Sequence, residues 1–330
     1  MEQTLTLSVQ AGEHEGLRAL IAQDDDLRLV VLPDLGAKVI SLVYRPTERE
    51  YLWRHPRRPL RLAAYGAPYE AADISGWDEC FPTIGAGLYP AAPWAGVALP
   101  DHGELWALPW EHEHIAGQLR MWVHSVRFAY TFERTFTFRP GALLDIAYRV
   151  TNPTPYPLHA LWSMHPFLRV SPEARTLLPE AVSVRVERTK GGRLGHFLTE
   201  HPWPLTTDAD GHAIDLSLQG SPDPRWMEKL FTTRLTEGWA GMHDPVDDHY
   251  LRFTFDPGAV PFVGLAQMRG GWPENDAASI SLILEPCSGW PDRLDIAIRR
   301  GECVTLLPKS ELAWTVTLRL GAGMPESRDQ

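Results

Sequence analysis

Apolar and polar positions alternate along most of this chain in short runs broken by Gly, Pro, Asp and Asn, the pattern of half-buried strands rather than helices. From Leu27 to Arg45, LRLVVLPDLGAKVISLVYR holds two β-branched runs around Pro33–Gly36 and predicts strand, turn, strand. Met121 to Val150 is the clearest case: VRFAYTFERTFTF alternates, Arg139-Pro-Gly141 turns, and LLDIAYRV alternates again. Hairpins are expected again at Tyr250–Phe255 and Val263–Met268, and LDIAIRRGECVTLLPKSELAWTVTLRL predicts three C-terminal strands. The tail after Gly321, residues 321–330, is polar and predicted to fray.

No stretch carries the apolar stripe of an amphipathic helix of about twelve or more residues. Many short strands with frequent turns predict an all-β fold, a large antiparallel β-sandwich with two sheets packed face to face. No composition break marks a linker, so residues 1–330 are expected to form a single domain. Two regions escape the period. Ala63–Pro100 is rich in Gly, Pro and Ala, and is expected to be a long irregular loop containing Ser75-Gly-Trp-Asp-Glu-Cys-Phe-Pro82. Arg169–Gly238 is weakly patterned and predicts short strands and excursions.

Composition narrows the class. At 330 residues and 44% hydrophobic content there is material for a substantial core. The net charge of −11 argues against a nucleic acid or an anionic membrane surface as partner. Three cysteines, Cys80, Cys287 and Cys303, lack CxxC spacing, so neither a disulfide framework nor a structural zinc site is expected. The first residues lack the basic-then-apolar pattern of a signal peptide, and no apolar run approaches the length of a membrane helix. A cytoplasmic location is therefore expected, without nucleic-acid or membrane partners, as a monomer or homodimer. Thirteen Trp is a high count, and its flat polarizable faces serve either a core or the apolar faces of sugars.

Candidate chemistry sits where apolar strands give way to constrained corners. Leu282-Ile-Leu284 delivers Glu285 immediately before Pro286-Cys-Ser-Gly-Trp-Pro291. His165 precedes Pro166 at the end of an apolar run, and His102 stands between Asp101 and Gly103 after a proline-rich loop. Two imidazoles and one carboxylate, without metal-ligand or nucleophile spacing, form a general acid/base set. In Trp110–Ile115, WEHEHI, His112 and His114 share a strand face but have no third ligand, so that face is expected to be solvated. No metal and no cofactor are expected.

The ordered motifs Asp101-His102-Gly103, Val150-Thr-Asn-Pro153 followed by Met164-His165-Pro166-Phe167, and Leu284-Glu285-Pro286 followed by Pro291-Asp292 resemble the aldose 1-epimerase, or galactose mutarotase-like, superfamily. The resemblance spans roughly Leu27 to Leu320. It implies a β-sandwich with an open groove that binds a free, small-molecule sugar. By the same resemblance His165 is the general acid on the ring oxygen, Glu285 the general base on the anomeric hydroxyl, and His102 a polarising group beside the ring oxygen. A non-catalytic carbohydrate-binding protein on the same scaffold is the alternative.

The chain also departs from that family. No arginine follows Phe81-Pro82, and Trp77, Asp78 and Glu79 just upstream are expected to stack on, or accept from, sugar hydroxyls instead. Arg269 and Trp272 are expected to offer a guanidinium and a ring to the groove. Asp244 and Asp247 read as a solvated turn. Arg54, Arg57, Arg58 and Arg61 cluster near the expected mouth, which leaves a phosphorylated sugar open beside an ordinary solvated cluster.

Overall fold

The computed structural model describes residues 7–274 and 276–325. Two large antiparallel sheets dominate. The first has twelve strands, in the order Ser8–His14, Leu17–Gln23, Leu27–Leu32, Lys38–Tyr44, Trp77–Cys80, Ser163–Leu168, Ile280–Cys287, Phe262–Arg269, Met227–Thr232, Ser183–Lys190 and Glu200–Pro202, with Arg49–Glu50 pairing onto Lys38–Tyr44. The second has eight: Arg175–Leu177, Trp239–Asp244, His249–Phe255, Ser310–Ala322, Leu143–Asn152, Thr131–Arg139, Gln118–His124 and Glu111–Ile115.

The second sheet follows the alternation in the sequence. In Thr131–Arg139 every second side chain is buried, and Phe132, Phe136 and Phe138 point inward. The inward residues of both sheets meet in one core, where Val39, Trp77 and Leu284 join Phe132, Ile146 and Val316. The middle of the first sheet is different, since Ser163–Leu168 and Met227–Thr232 are buried at every position. One face packs on the second sheet. Loops cover the other, and they place Tyr69 and Trp106 against Phe167, Ala266 and Ile283. That doubly covered centre holds the site.

Several expectations need correction. Trp77–Cys80 is a central strand paired with Ser163–Leu168, not part of an irregular loop. Its charged Asp78 and Glu79 hid the strand, because both are buried against partners far away in the chain. LDIAIRR forms the α-helix Leu294–Arg300, and Gly301 stops it in the left-handed conformation at φ 69°. Gly321 and Ala322 lie within the last strand, paired with Tyr250 and His249, while residues 326–330 lie outside the described residues. Asp244 is buried rather than solvated and accepts from the backbone N–H and hydroxyl of Ser171. No helix among the described residues is long and apolar enough to cross a membrane.

Candidate active site

Strand pleating sorts the side chains of the central strands into two sets. Trp77 and Glu79 face the second sheet. Asp78 and Cys80, Ser163, His165 and Phe167, Lys229 and Phe231, and Ile283, Glu285 and Cys287 all take the opposite face, under the loops. Pairings of Ser163 with Cys287 and of Phe167 with Ile283 bracket His165 and Glu285, setting them side by side on neighbouring strands. Nε2 of His165 lies 3.7 Å from Oε1 of Glu285. The sequence suggested strand ends for both; each is mid-strand instead, because Pro166 and Pro286 are accommodated within the sheet.

These two side chains form the floor of a cavity of about 380 Å³, within the range of small-molecule sites. His102 enters its wall from the Asp101–Gly103 turn, with its ring centroid 4.9 Å from that of His165 and the planes 82° apart. Glycine is required after it: Gly103 has φ 74°, and a Cβ there would stand 2.2 Å from the carbonyl oxygen of Phe81. This close approach pins the turn to the end of the Trp77–Cys80 strand. Asp101 accepts from Nδ1 of His102 at 3.1 Å. Burial pushes the Asp101 carboxyl up, but His102 outweighs it and holds the net value below the usual carboxylate range.

Electrostatics on the floor are set by depth. Burial lowers the basicity of His165 well below that of a free imidazole, and the neighbouring His102 and Lys229 add to the effect. Burial raises Glu285, against the opposing pull of Lys229. Lys229 lies 3.4 Å from Oε2 of Glu285 and 2.8 Å from Oδ1 of Asp292. Beside it, burial and the charge of Asp292 push the Glu187 carboxyl up to about 8.

The expected sugar-contacting residues divide. His165, Glu285, His102 and Trp272 line the cavity. Trp77 and Glu79 do not; they are 1% and 0% exposed between the sheets. There Glu79 accepts from Arg134, Tyr148, Trp162 and Trp77 at 2.8–3.2 Å, an ionic knot that leaves it nothing for a ligand. Asp78 lies beneath the floor, 3.2 Å from Lys38 and accepting from the Tyr69 hydroxyl at 2.7 Å. Arg269 lines a different hollow, beside Gly220 and Trp226, and donates to Gln267.

The arginine cluster is largely spent elsewhere. Arg57 and Arg58 clamp Asp276 at 2.7 and 2.9 Å, and Arg54 pairs with Glu15 at 2.8 Å. Arg293 borders the cavity through its stem, which packs 3.3 Å from where a Gly85 Cβ would be, while its guanidinium is paired with Asp295. Sequence reasoning missed Lys229, Glu187, Arg188 and Arg293 in this cavity. The signal for Lys229 was faint: in Met227-Glu-Lys-Leu-Phe-Thr232 two opposite charges interrupt an otherwise apolar strand without restoring alternation. For a metal, the described residues bring together only Asp208, Asp210 and His212, in a turn outside the cavity lining.

No protein-family model and no curated protein matches this sequence. Solved structures do. A candidate aldose 1-epimerase from Klebsiella pneumoniae superposes with a TM-score of 0.69 at 14% identity, covering 96% of this chain and 84% of that one. A candidate aldose 1-epimerase from Escherichia coli K12 gives 0.65 at 17% identity, covering 96% and 99%. A galactose mutarotase related enzyme from Lactobacillus acidophilus gives 0.63 at 15% identity, covering 97% and 100%. Identity this low speaks to the fold, and the fold of this chain is that of the galactose mutarotase-like β-sandwiches.

Proposed function

We propose that the protein is an aldose 1-epimerase, interconverting the α and β anomers of a free aldose. The observation that carries this reading is the pairing of His165 and Glu285 at 3.7 Å on the floor of a cavity that also holds His102. The likeness of fold to candidate aldose 1-epimerases supports it.

The two groups stand too close for a sugar ring to lie between them, and the chemistry does not require one there. O1 and O5 of an aldopyranose are both bonded to C1, so two side chains standing together reach both atoms from one direction. Oε1 of Glu285 takes the O1 proton while Nε2 of protonated His165 gives its proton to O5, and the C1–O5 bond breaks to leave an open-chain aldehyde. Rotation about C1–C2 presents the other face of the carbonyl. Reversal of both transfers then closes the ring and restores both side chains. Burial makes the Glu285 carboxylate a stronger base, and protonated His165 a stronger acid, than the free groups. His102 polarises the ring-oxygen side, and Trp272 offers an apolar wall.

The test is exchange NMR across a panel of aldoses. His165→Asn and Glu285→Gln should each slow exchange by about 10²–10⁴-fold with the circular dichroism spectrum unchanged. Wild-type rates in both variants reject the assignment. One observation favours the alternative, a non-catalytic sugar-binding protein: no arginine follows Phe81-Pro82. A wild type that binds an aldose without accelerating exchange would select it.

A further inference from the structure

The two oxygens of Glu285 are not equivalent. Oε2 is fastened: the ammonium of Lys229 lies 3.4 Å away, and the Ser163 hydroxyl is 3.2 Å away in position to donate to it. Oε1 is buried without a hydrogen-bond partner and is the oxygen that faces His165. A buried carboxylate oxygen is costly unless something hydrogen-bonds it. Here it is the atom that would receive a proton.

Lys229 is built into place for this. It belongs to the strand Met227–Thr232, is 9% exposed, and its ammonium lies 2.8 Å from Asp292 and 5.4 Å from the ring centroid of Phe231. Between Lys229 and Glu285 runs the strand Phe262–Arg269, which places Gly264 directly opposite Glu285. A Cβ on Gly264 would stand 3.3 Å from Oε2 and 3.2 Å from the Glu285 Cβ. The missing side chain is what lets carboxylate and ammonium meet above the sheet.

We infer that Lys229 is a positioning residue for the acid/base reaction: it anchors Oε2 of Glu285 and holds the carboxylate ionised, leaving Oε1 free as the proton acceptor. The inference rests on the epimerase reading for its consequence on rate, and on geometry alone for its consequence on Glu285. The other groups facing Glu285 are His165 from the adjacent strand, the Cys80 and Cys287 thiols, Asp292 from the following corner and His102 from the loop opposite. Glu187 faces Lys229 and Asp292 from the strand Ser183–Lys190. Among these neighbours Lys229 is the fixed cation within ion-pair distance of Glu285. Burial disfavours its charge, but Asp292 and Glu285 outweigh burial and keep it protonated.

Selective ¹³C labelling of glutamate carboxyls, with the Glu285 signal assigned by its loss in Glu285→Gln, reads the titration of Glu285 directly. Lys229→Met should move that titration upward by about one pH unit or more, the size expected on losing an opposite charge within about 4–6 Å. Lys229→Arg should restore it. Asp292→Asn should move it the other way, downward, because it removes a like charge and leaves Lys229 to Glu285. This opposite sign keeps the test informative if Lys229→Met folds poorly. For an aldose the wild type interconverts, the acid limb of kcat/KM should shift with the carboxyl signal in each variant. An unmoved Glu285 titration in Lys229→Met and in Asp292→Asn overturns the inference, as does a rate lowered by one factor at every pH. A wild type that accelerates no aldose, while the carboxyl signal still moves, rejects the epimerase reading and leaves the Lys229–Glu285 coupling standing.

Discussion

The phenol ring of Tyr69 lies flat on the imidazole of His102, with centroids 3.8 Å apart and planes 16° from parallel. Its hydroxyl donates to Asp78 at 2.7 Å and so presents its oxygen to Nδ1 of His165, 3.4 Å away. One side chain thus touches both histidines of the site. Asp78 is in turn paired with Lys38, which also donates to Asp73 at 2.8 Å, so a buried polar chain runs beneath the floor and ends on His165. A hydrogen at Nδ1 pointing to Tyr69 leaves Nε2 as the nitrogen facing Glu285, the one available for the proposed proton transfer.

Tyr69→Phe keeps the ring on His102 and removes the hydroxyl. Exchange should slow by about tenfold, the lower range for an outer partner of a working imidazole. The ¹⁵N shifts of His165 should show mixed tautomers where the wild type shows one. Stability should fall by about 1–3 kcal/mol, because buried Asp78 loses a donor. Wild-type ¹⁵N shifts in the variant would remove Tyr69 from this role.

Gly264→Ala tests the room made for Glu285. The new methyl would sit 3.0 Å from the Phe231 ring and 3.2–3.3 Å from Glu285. Overpacking of this kind costs about 1–3 kcal/mol, measurable by urea denaturation. Anomer exchange should fall more than stability does, since the displaced atom is the carboxylate. Unchanged exchange would show that Glu285 has slack.

The Glu79–Arg134 pair is a structural tie between the sheets. Glu79→Ala leaves the guanidinium of Arg134 buried without its carboxylate and should cost about 3–5 kcal/mol. Glu79→Gln should cost less and leave the KM for the sugar unaltered. A raised KM with intact stability would instead place Glu79 in contact with ligand.

The Asp276 clamp predicts a pH signature at the acid end. Burial pushes its carboxyl up, but hydrogen bonds from Arg57 and Arg58 and the nearby His55 outweigh burial and hold it at about 2, below the value of about 3.8 expected unfolded. A carboxyl lowered in the folded state adds stability above its unfolded pKa and loses it as pH falls toward the folded one. Asp276→Asn should therefore cost about 1–2 kcal/mol at pH 7, allowing for solvent around exposed Arg57. The deficit should shrink between about pH 4 and pH 2, followed by denaturation at each pH. A deficit equal at pH 7 and pH 2 would mean that the charge on Asp276 contributes nothing.

Most of the second sheet was legible in the chain because its longer strands bury one face, and a single buried face writes a period of two into the residues, as in Gln118–His124, Thr131–Arg139 and Leu143–Asn152. The candidate acid and base stood out too, Glu285 and His165 each being a chemistry-bearing side chain in an apolar run before proline. Two strands at the first sheet's centre were not legible. Trp77–Cys80 and Met227–Thr232 are buried on both faces and carry charges whose partners lie far off in sequence, so no local period survives. Asp78 finds Lys38, Glu79 finds Arg134, and Lys229 finds Glu285 and Asp292.

The helix Leu294–Arg300 shows the same limit on a smaller scale. In LDIAIRR, Leu294, Ile296 and Ile298 fit a strand and Leu294, Ala297 and Ile298 fit a helical turn, and seven residues are too few to separate the two periods. Local chemistry thus determined that this chain builds antiparallel sheets and which carboxylate and imidazole to watch. Tertiary structure alone decided that the two stand 3.7 Å apart, which oxygen of Glu285 is left free, and which charge stands beside it. Burying a charge is tolerable only where folding supplies its partner, and that partner is a property of strand order and register rather than of neighbouring residues.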